Sequence, residues 1–298
     1  MSPADWWWIP ITVWAAFAQT VRNAAQRSLT AELGTLGATW VRFLYGLPFA
    51  VVWLFAVQAF VHEKLPEINS PFLLWVLLGA VTQIVATALL LRVMEERNFA
   101  LGVAYSKSEV LQVAIFAFVF LGDPLTIPLG VAVALGTAGV LMLTPGGVKL
   151  GWATGPALLG LASGAGFALA SVGYRGAALA LSGAGFLLAA AFTLVIAQAM
   201  QTVLLGGFLL FKSPPTVARA ARLSRPSVLA GFMGAAASAG WFTAFALQPA
   251  AHVRTLGLVE LVFSYLVSLK LFRERLSRRE LTGMALLAAG VAAVTLFR

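Results

Sequence analysis

Two glutamates carry most of the chemistry that this sequence could do. The chain has eleven Asp and Glu residues, and nine of them sit at the ends of apolar runs or between them. Only Glu109 and Glu260 lie well inside such runs. A charged group in hydrocarbon costs at least ~2.5–3.5 kcal/mol on the mildest scale, so each must face a protein interior, paired or hydrated. There a carboxylate can take a proton, hold a cationic part of a ligand, or act as a structural hydrogen-bonding group. Helical spacing gives each one companions. Tyr105, Gln112 and Phe116 share the face of Glu109, and His252, Ser264 and Ser268 share that of Glu260. Further polar stripes run through Thr12, Gln19, Asn23 and Gln26, through Gln83 and Thr87, and through Trp241, Phe245 and Gln248. Converging stripes can line a hydrated cavity or make interhelical hydrogen bonds.

Four basic residues also fall within apolar runs: Arg22, Arg42, Lys107 and Arg254. Any of them could neutralise a glutamate or bind a substrate carboxylate. Arg22 and Arg42 stand near enough to run ends to snorkel to the interface. Lys107 is two residues from Glu109, a spacing that puts them on different faces of a helix. Trp6, Trp7 and Trp8 fit an interfacial belt, while Trp14, Trp40 and Trp241 lie deeper, as cavity walls would.

Other chemistries find no support. There is no cysteine, so disulfides and thiol reactions are excluded. The two histidines, His62 and His252, have no metal-ligand spacing. No phosphate-binding glycine loop and no nucleophile–base pair is present. Neither an enzyme nor a cofactor is expected.

The elements that must position these residues are apolar helices. Hydrophobic residues make up 60% of the 298-residue chain and charged residues 10%, with a mean hydropathy of +0.92. A soluble domain has about 25% charged residues. About 20 apolar residues cross a bilayer, and ten runs of roughly that length can be counted: about 6–28, 37–61, 71–93, 99–121, 125–144, 152–176, 183–211, 227–248, 252–272 and 280–297. They are too long and continuous for barrel strands. The expected fold is an all-α polytopic membrane protein. The start, MSPADWWWIP, lacks the basic segment of a cleaved signal peptide, so the first helix is expected to be kept.

The runs repeat. Glu109, Asp123 and Gly139 are spaced 14 and 16 apart, as are Glu260, Glu274 and Gly290, and the copies are offset by 151. The halves are therefore 1–147 and 148–298, five helices each. An odd number per half forces the copies to insert in opposite directions, the inverted repeat of secondary transporters. Small residues in the sixth run (Gly160, Ser163, Gly164, Gly166, Ala170) and the eighth (Gly231, Gly234, Ala235, Ala237, Ser238) suit close helix packing.

The net charge of +9 would point to nucleic acid in a soluble protein. Here it is expected in loops facing the cytoplasm. Loops 1–2, 3–4, 5–6, 7–8 and 9–10 hold most Lys and Arg, against Lys64, Arg175 and Arg298 on the other side. That count puts both termini on the outer side of the plasma (bacterial inner) membrane.

The residues also resemble a family. Trp14, Arg22 and Arg42-Phe43 look like the start of an EamA-type member of the drug/metabolite transporter superfamily. So does Leu271-Phe272-Arg273-Glu274-Arg275-Leu276-Ser277, with Leu281-Thr282-Gly283 and Ala289-Gly290-Val291; Gly122-Asp123-Pro124-Leu125-Thr126 is the weaker first-half counterpart. Glu109 and Glu260 stand where the family usually has a proline. The resemblance implies a proton-coupled or gradient-driven exporter or exchanger, often with cytoplasmic termini. The expected function is a secondary transporter, an exporter by this resemblance, of a small amphipathic metabolite such as an amino acid, working by alternating access as a monomer or homodimer in lipid. Its expected substrate residues are Gln19, Asn23, Gln83, Tyr105, Glu109, Gln112, Trp241, Glu260 and Ser264, with Arg22, Arg42, Lys107 and Arg254 as charge partners. Export of hydrophobic organic cations, or a non-transporting scaffold or channel, are the alternatives.

Overall fold

Glycine 34 shapes the first third of the chain. In the computed structural model, helix α1 runs Trp8–Val61, but Gly34 has φ 68° and ψ 172°. Only glycine adopts that region without strain. The Gln26 side-chain amide donates to the Ala38 carbonyl at 3.0 Å. Twelve residues of straight helix would hold those groups about 18 Å apart, so the chain folds back at Gly34 into two limbs, 8–33 and 35–61.

The described residues are 6–96, scattered positions between 99 and 126 that include Lys107 and Glu109, 127–143, 155–181, 183–222, 224–272, and scattered positions between 278 and 289. Tyr105, Phe116, Asp123, Glu274 and Gly290 lie outside them. After α1 come α2 (Ser70–Glu96), α3 (Ile127–Leu143), α4 (Gly155–Ala180), α5 (Phe186–Lys212), the short α6 (Pro214–Ala220) and α7 (Arg225–Leu247). They are followed by α8 (Ala250–Leu256), a 3-10 turn (Gly257–Val259) and α9 (Glu260–Phe272). No strand occurs among the described residues.

Five stretches are long and apolar enough to cross a membrane: 8–61, 70–96, 186–212, 225–247 and 252–270. Burial agrees with that reading. Phe60, Ile127 and Phe211 are 78%, 86% and 94% exposed, whereas Arg22, Arg42 and Glu260 are each 1% exposed. An apolar exterior around a polar interior suits a lipid solvent.

Close packing follows the small-residue stripes. A Cβ at Gly173 of α4 would stand 2.8 Å from the Gly79 amide nitrogen and 2.9 Å from the Trp75 carbonyl of α2. The Ser163 hydroxyl donates to the Ala86 carbonyl at 2.8 Å. Helix α7 packs in the same way against both limbs of α1, where a Cβ at Gly231 would meet Tyr45 and one at Gly240 would meet Ala15. Arg175, expected near a loop, lies inside α4 and donates to the Phe245 and Gln248 carbonyls at 2.6 and 2.8 Å. It thereby satisfies the open carbonyl end of α7.

Candidate functional site

The expected run from 252 to 272 breaks at its middle. Leu256 ends α8, the 3-10 turn follows, and Glu260 begins α9. The break places Arg254 on one helix and Glu260 in the first turn of the next. There the helix dipole favours a carboxylate. Glycine is required at 257, because a Cβ would lie 2.5 Å from Cη2 of Trp241.

Six charged residues are buried among those described: Arg22, Arg42, Lys107, Glu109, Arg254 and Glu260, none more than 5% exposed. Glu260 is fully engaged. Its Oε2 accepts from Gln19 Nε2 at 2.6 Å and from Lys107 Nζ at 2.5 Å, and its Oε1 accepts from Asn23 Nδ2 at 3.2 Å. Lys107 also donates to Glu109 Oε1 at 3.3 Å. Arg254 Nη1 stands 3.7 Å from that same oxygen. The Arg254 guanidinium lies 4.5 Å from the Trp241 ring centroid, and the indole Nε1–H donates to Gln19 Oε1 at 2.9 Å. Trp241, Gln19, Glu260, Lys107, Glu109 and Arg254 thus close a ring. Gln19, Lys107 and Glu109 come from the first half of the sequence, the other three from the second.

The two glutamates are unlike. Both oxygens of Glu260 have donors, whereas Glu109 Oε2 is buried with no hydrogen-bond partner among the described residues. An unmet buried oxygen on a carboxylate is costly. Among the ring's acceptors, this oxygen has no donor among the described residues.

Arg22 and Arg42 do not snorkel. Both are 1% exposed and point into the bundle, because the fold at Gly34 turns the two limbs toward α7. A Cβ at Gly234 would be 2.9 Å from Arg42 Cγ and 3.4 Å from Arg22 Cδ, so both stems cross the same glycine. Arg22 Nη2 donates to Asn23 Oδ1 at 2.6 Å. Arg42 donates to Thr87 Oγ1 at 3.3 Å and to Ser238 Oγ at 3.4 Å. Nor do Lys107 and Glu109 point apart. Lys107 sits in a turn rather than a helix, and its long stem reaches the carboxylate.

Of the remaining expected residues, Gln83 and Ser264 lie near this centre. Gln83 belongs to a neutral network, in which its Oε1 accepts from the Tyr174 hydroxyl at 2.7 Å and from Gln201 Nε2 at 2.6 Å. Ser264 lies one turn beyond Glu260, buried, with a hydroxyl that has no partner among the described residues. Gln112 is half-buried, and Tyr105 is outside the described residues. Sequence reasoning passed over Ser171, which accepts from Arg254 Nε at 2.7 Å, and Tyr174 and Gln201. A serine among the small residues of α4 reads as packing, and the buried pair Ser163 and Ser171 on one helix face was the available signal.

A separate apolar cavity of about 480 Å³ lies between α1, α5 and α7, lined by Trp14, Phe49, Trp53, Phe232, Ala236 and Thr243 among others. Trp14 lines this apolar cavity, away from the buried charges, and at 48% exposure is not deep as expected. None of the buried charges lines this cavity. Phe232, Ala236, Ala239 and Thr243 form one face of α7; Gly234, Ser238, Trp241 and Phe245 form another, toward the charges. Helix α7 therefore separates the apolar cavity from the polar centre.

No family model matches the chain, and no curated protein matches it. Solved structures do match. One, described as "Crystal structure of protein", is similar at TM-score 0.68 with 16% identity, covering 97% of this chain and 96% of its own. At that identity the likeness establishes a shared fold and nothing about activity.

Proposed function

We propose that the chain is a secondary active transporter for a small charged metabolite such as an amino acid, held in the plasma (bacterial inner) membrane as ten helices in two inverted repeats. The observation that carries this reading is the buried ring of charges assembled from both halves of the sequence. Ionisable groups are costly within a membrane and mark substrate or proton paths by default, and transporter sites lie between repeats at broken helices.

The offset of 151 supports the repeat. It carries the second limb of α1, 35–61, onto α5 at 186–212, and the end of α2 at 96 onto the end of α7 at 247. The packing exchanges likewise. Helix α1 packs chiefly on α7, and α4, which corresponds to the first limb of α1, packs chiefly on α2. The resemblance to EamA-type transporters points the same way.

In this reading the ring works as a switch. The conformation described holds all six charges away from solvent. A proton on Glu109 weakens its hold on Lys107 and Arg254 and frees those cations for a substrate carboxylate, while Glu260 keeps Lys107 in place. Rocking of one repeat against the other then opens the centre to one side at a time. Both glutamates already hold cations, which favours this reading over carriage of organic cations.

The test is flux in proteoliposomes with a panel of amino acids and organic cations, with and without a pH gradient. The expected result is pH-driven flux of an amino acid that loses its pH dependence in Glu109→Gln. Unchanged pH-driven flux in that variant removes the proton role. No flux for any solute, by a folded protein, removes the transport reading.

A further inference from the structure

Charge at the buried centre does not balance. The six buried charged residues comprise four cations, Arg22, Arg42, Lys107 and Arg254, and two carboxylates, Glu109 and Glu260. Glu109 is ion-paired with Lys107 and Arg254, and Glu260 with Lys107; Glu260 reaches Arg22 only through the Asn23 amide. Arg22 and Arg42 have only neutral acceptors, the Asn23 amide and the Thr87 and Ser238 hydroxyls. In each, the buried Nε has no hydrogen-bond partner among the described residues. Two guanidinium groups whose stems cross one glycine repel each other, and removal from water is costly for each. A structural pair would be expected to keep a carboxylate between them.

We infer that Arg22 and Arg42 form an anion subsite, and that the ligand of this protein, if an amino acid then an acidic or phosphorylated one, carries a dianionic group such as a phosphate or a pair of carboxylates, rather than being a zwitterion of no net charge or a cation. The inference rests on the proposed transport site and narrows its substrate. Among the described residues the buried charges leave an excess of two positive charges, which a dianion would balance. Guanidinium forks bind carboxylate and phosphate oxygens with paired N–H donors, and each fork here has donors to spare, Nε included. The neutral acceptors hold the arginines in place without competing for their charge. Gly234 is part of the subsite, because a methyl there would press on both stems. Arg22 and Arg42 belong to the two limbs that Gly34 folds together, and Ser238 belongs to α7. An anion between them would therefore join three segments and couple its own binding to their packing.

The test is ligand-dependent thermal unfolding of the purified full chain in detergent, at constant ionic strength. The probes are inorganic phosphate, succinate, alanine and tetraethylammonium. The proposal expects phosphate or succinate to raise Tm in a saturable way, and alanine and tetraethylammonium to do so at least about tenfold less effectively. Arg42→Gln and Arg22→Gln should each weaken the effective anion at least about tenfold, a loss of one charge-assisted contact. Arg42→Lys should retain part of the response. Lys270→Gln, on the exposed surface of α9, should leave it unchanged. If an arginine variant does not fold, Gly234→Ala supplies the test, since it narrows the subsite without removing charge and should weaken the anion similarly.

No saturable shift with either dianion, or the same shift in Arg42→Gln as in the parent, overturns the proposal. So does a larger response to alanine than to succinate. The transport reading fails separately: anion binding without flux of that anion in proteoliposomes would remove transport and leave the subsite. Flux of alanine with no anion response would remove the subsite and leave transport.

Discussion

Removing Lys107 tests whether the ring is an energetic unit. Its ammonium is 4% exposed and touches Glu260 and Glu109 at 2.5 and 3.3 Å. Truncating one partner of a buried ion pair costs about 3–5 kcal/mol, because the other charge is left without its counter-ion. Lys107→Met should fall in that range, since Glu260 retains only the neutral amides of Gln19 and Asn23. Glu260→Gln should fall toward its lower end, because Lys107 keeps Glu109. The double variant removes both charges and leaves a Gln that still accepts from the amides, so it should cost less than the sum by about 1.5–3 kcal/mol. The assay is thermal unfolding of the four proteins in the same detergent, read as a double-mutant cycle. Costs that add within about 0.5 kcal/mol would refute the direct pair.

Two glycines give further predictions. Gly34→Ala should cost about 1–3 kcal/mol through backbone strain alone, since nothing lies within 4 Å of the added methyl; Gly130→Ala, equally open but with ordinary backbone, is the control, and equal unfolding temperatures for the two would contradict the fold-back at Gly34. Gly257→Ala should cost about 1–3 kcal/mol by pushing on Trp241, which Gln19 and Arg254 hold in place. Adding Trp241→Phe should recover part of that loss, and no loss in the single variant would show that the helix break does not depend on this contact.

The sequence makes some of this legible for physical reasons. Glu109 and Glu260 stand out because carboxylates are scarce inside apolar runs, and the structure turns both inward. Gln19, Asn23 and Trp241 were found because polar groups on one helix face must converge on something, and Arg254 because basic residues are scarce inside apolar runs. The fold-back at Gly34 follows a visible gap between runs. Other features were hidden. Gly257–Val259 is as apolar as the helices beside it, so periodicity passes straight through the break. Arg22 and Arg42 read as snorkelling because distance along the chain to a run end says nothing of which way a limb faces. The partnership of Lys107 with Glu260 joins residues 153 apart in sequence, and only packing chooses it. Ser171 was lost among small residues that serve close approach.

The central claim is that the buried centre opens to both sides of a membrane in turn. Ser264 is 1% exposed, one turn from Glu260, and its hydroxyl has no partner among the described residues. The chain contains no cysteine, so Ser264→Cys places one thiol beside the ring. Its reaction with a membrane-impermeant maleimide can be timed in intact cells and in inverted vesicles. Alternating access predicts modification from both sides, with substrate changing the two rates in opposite directions. Modification from neither side, with or without substrate, would show a sealed structural core and contradict the account.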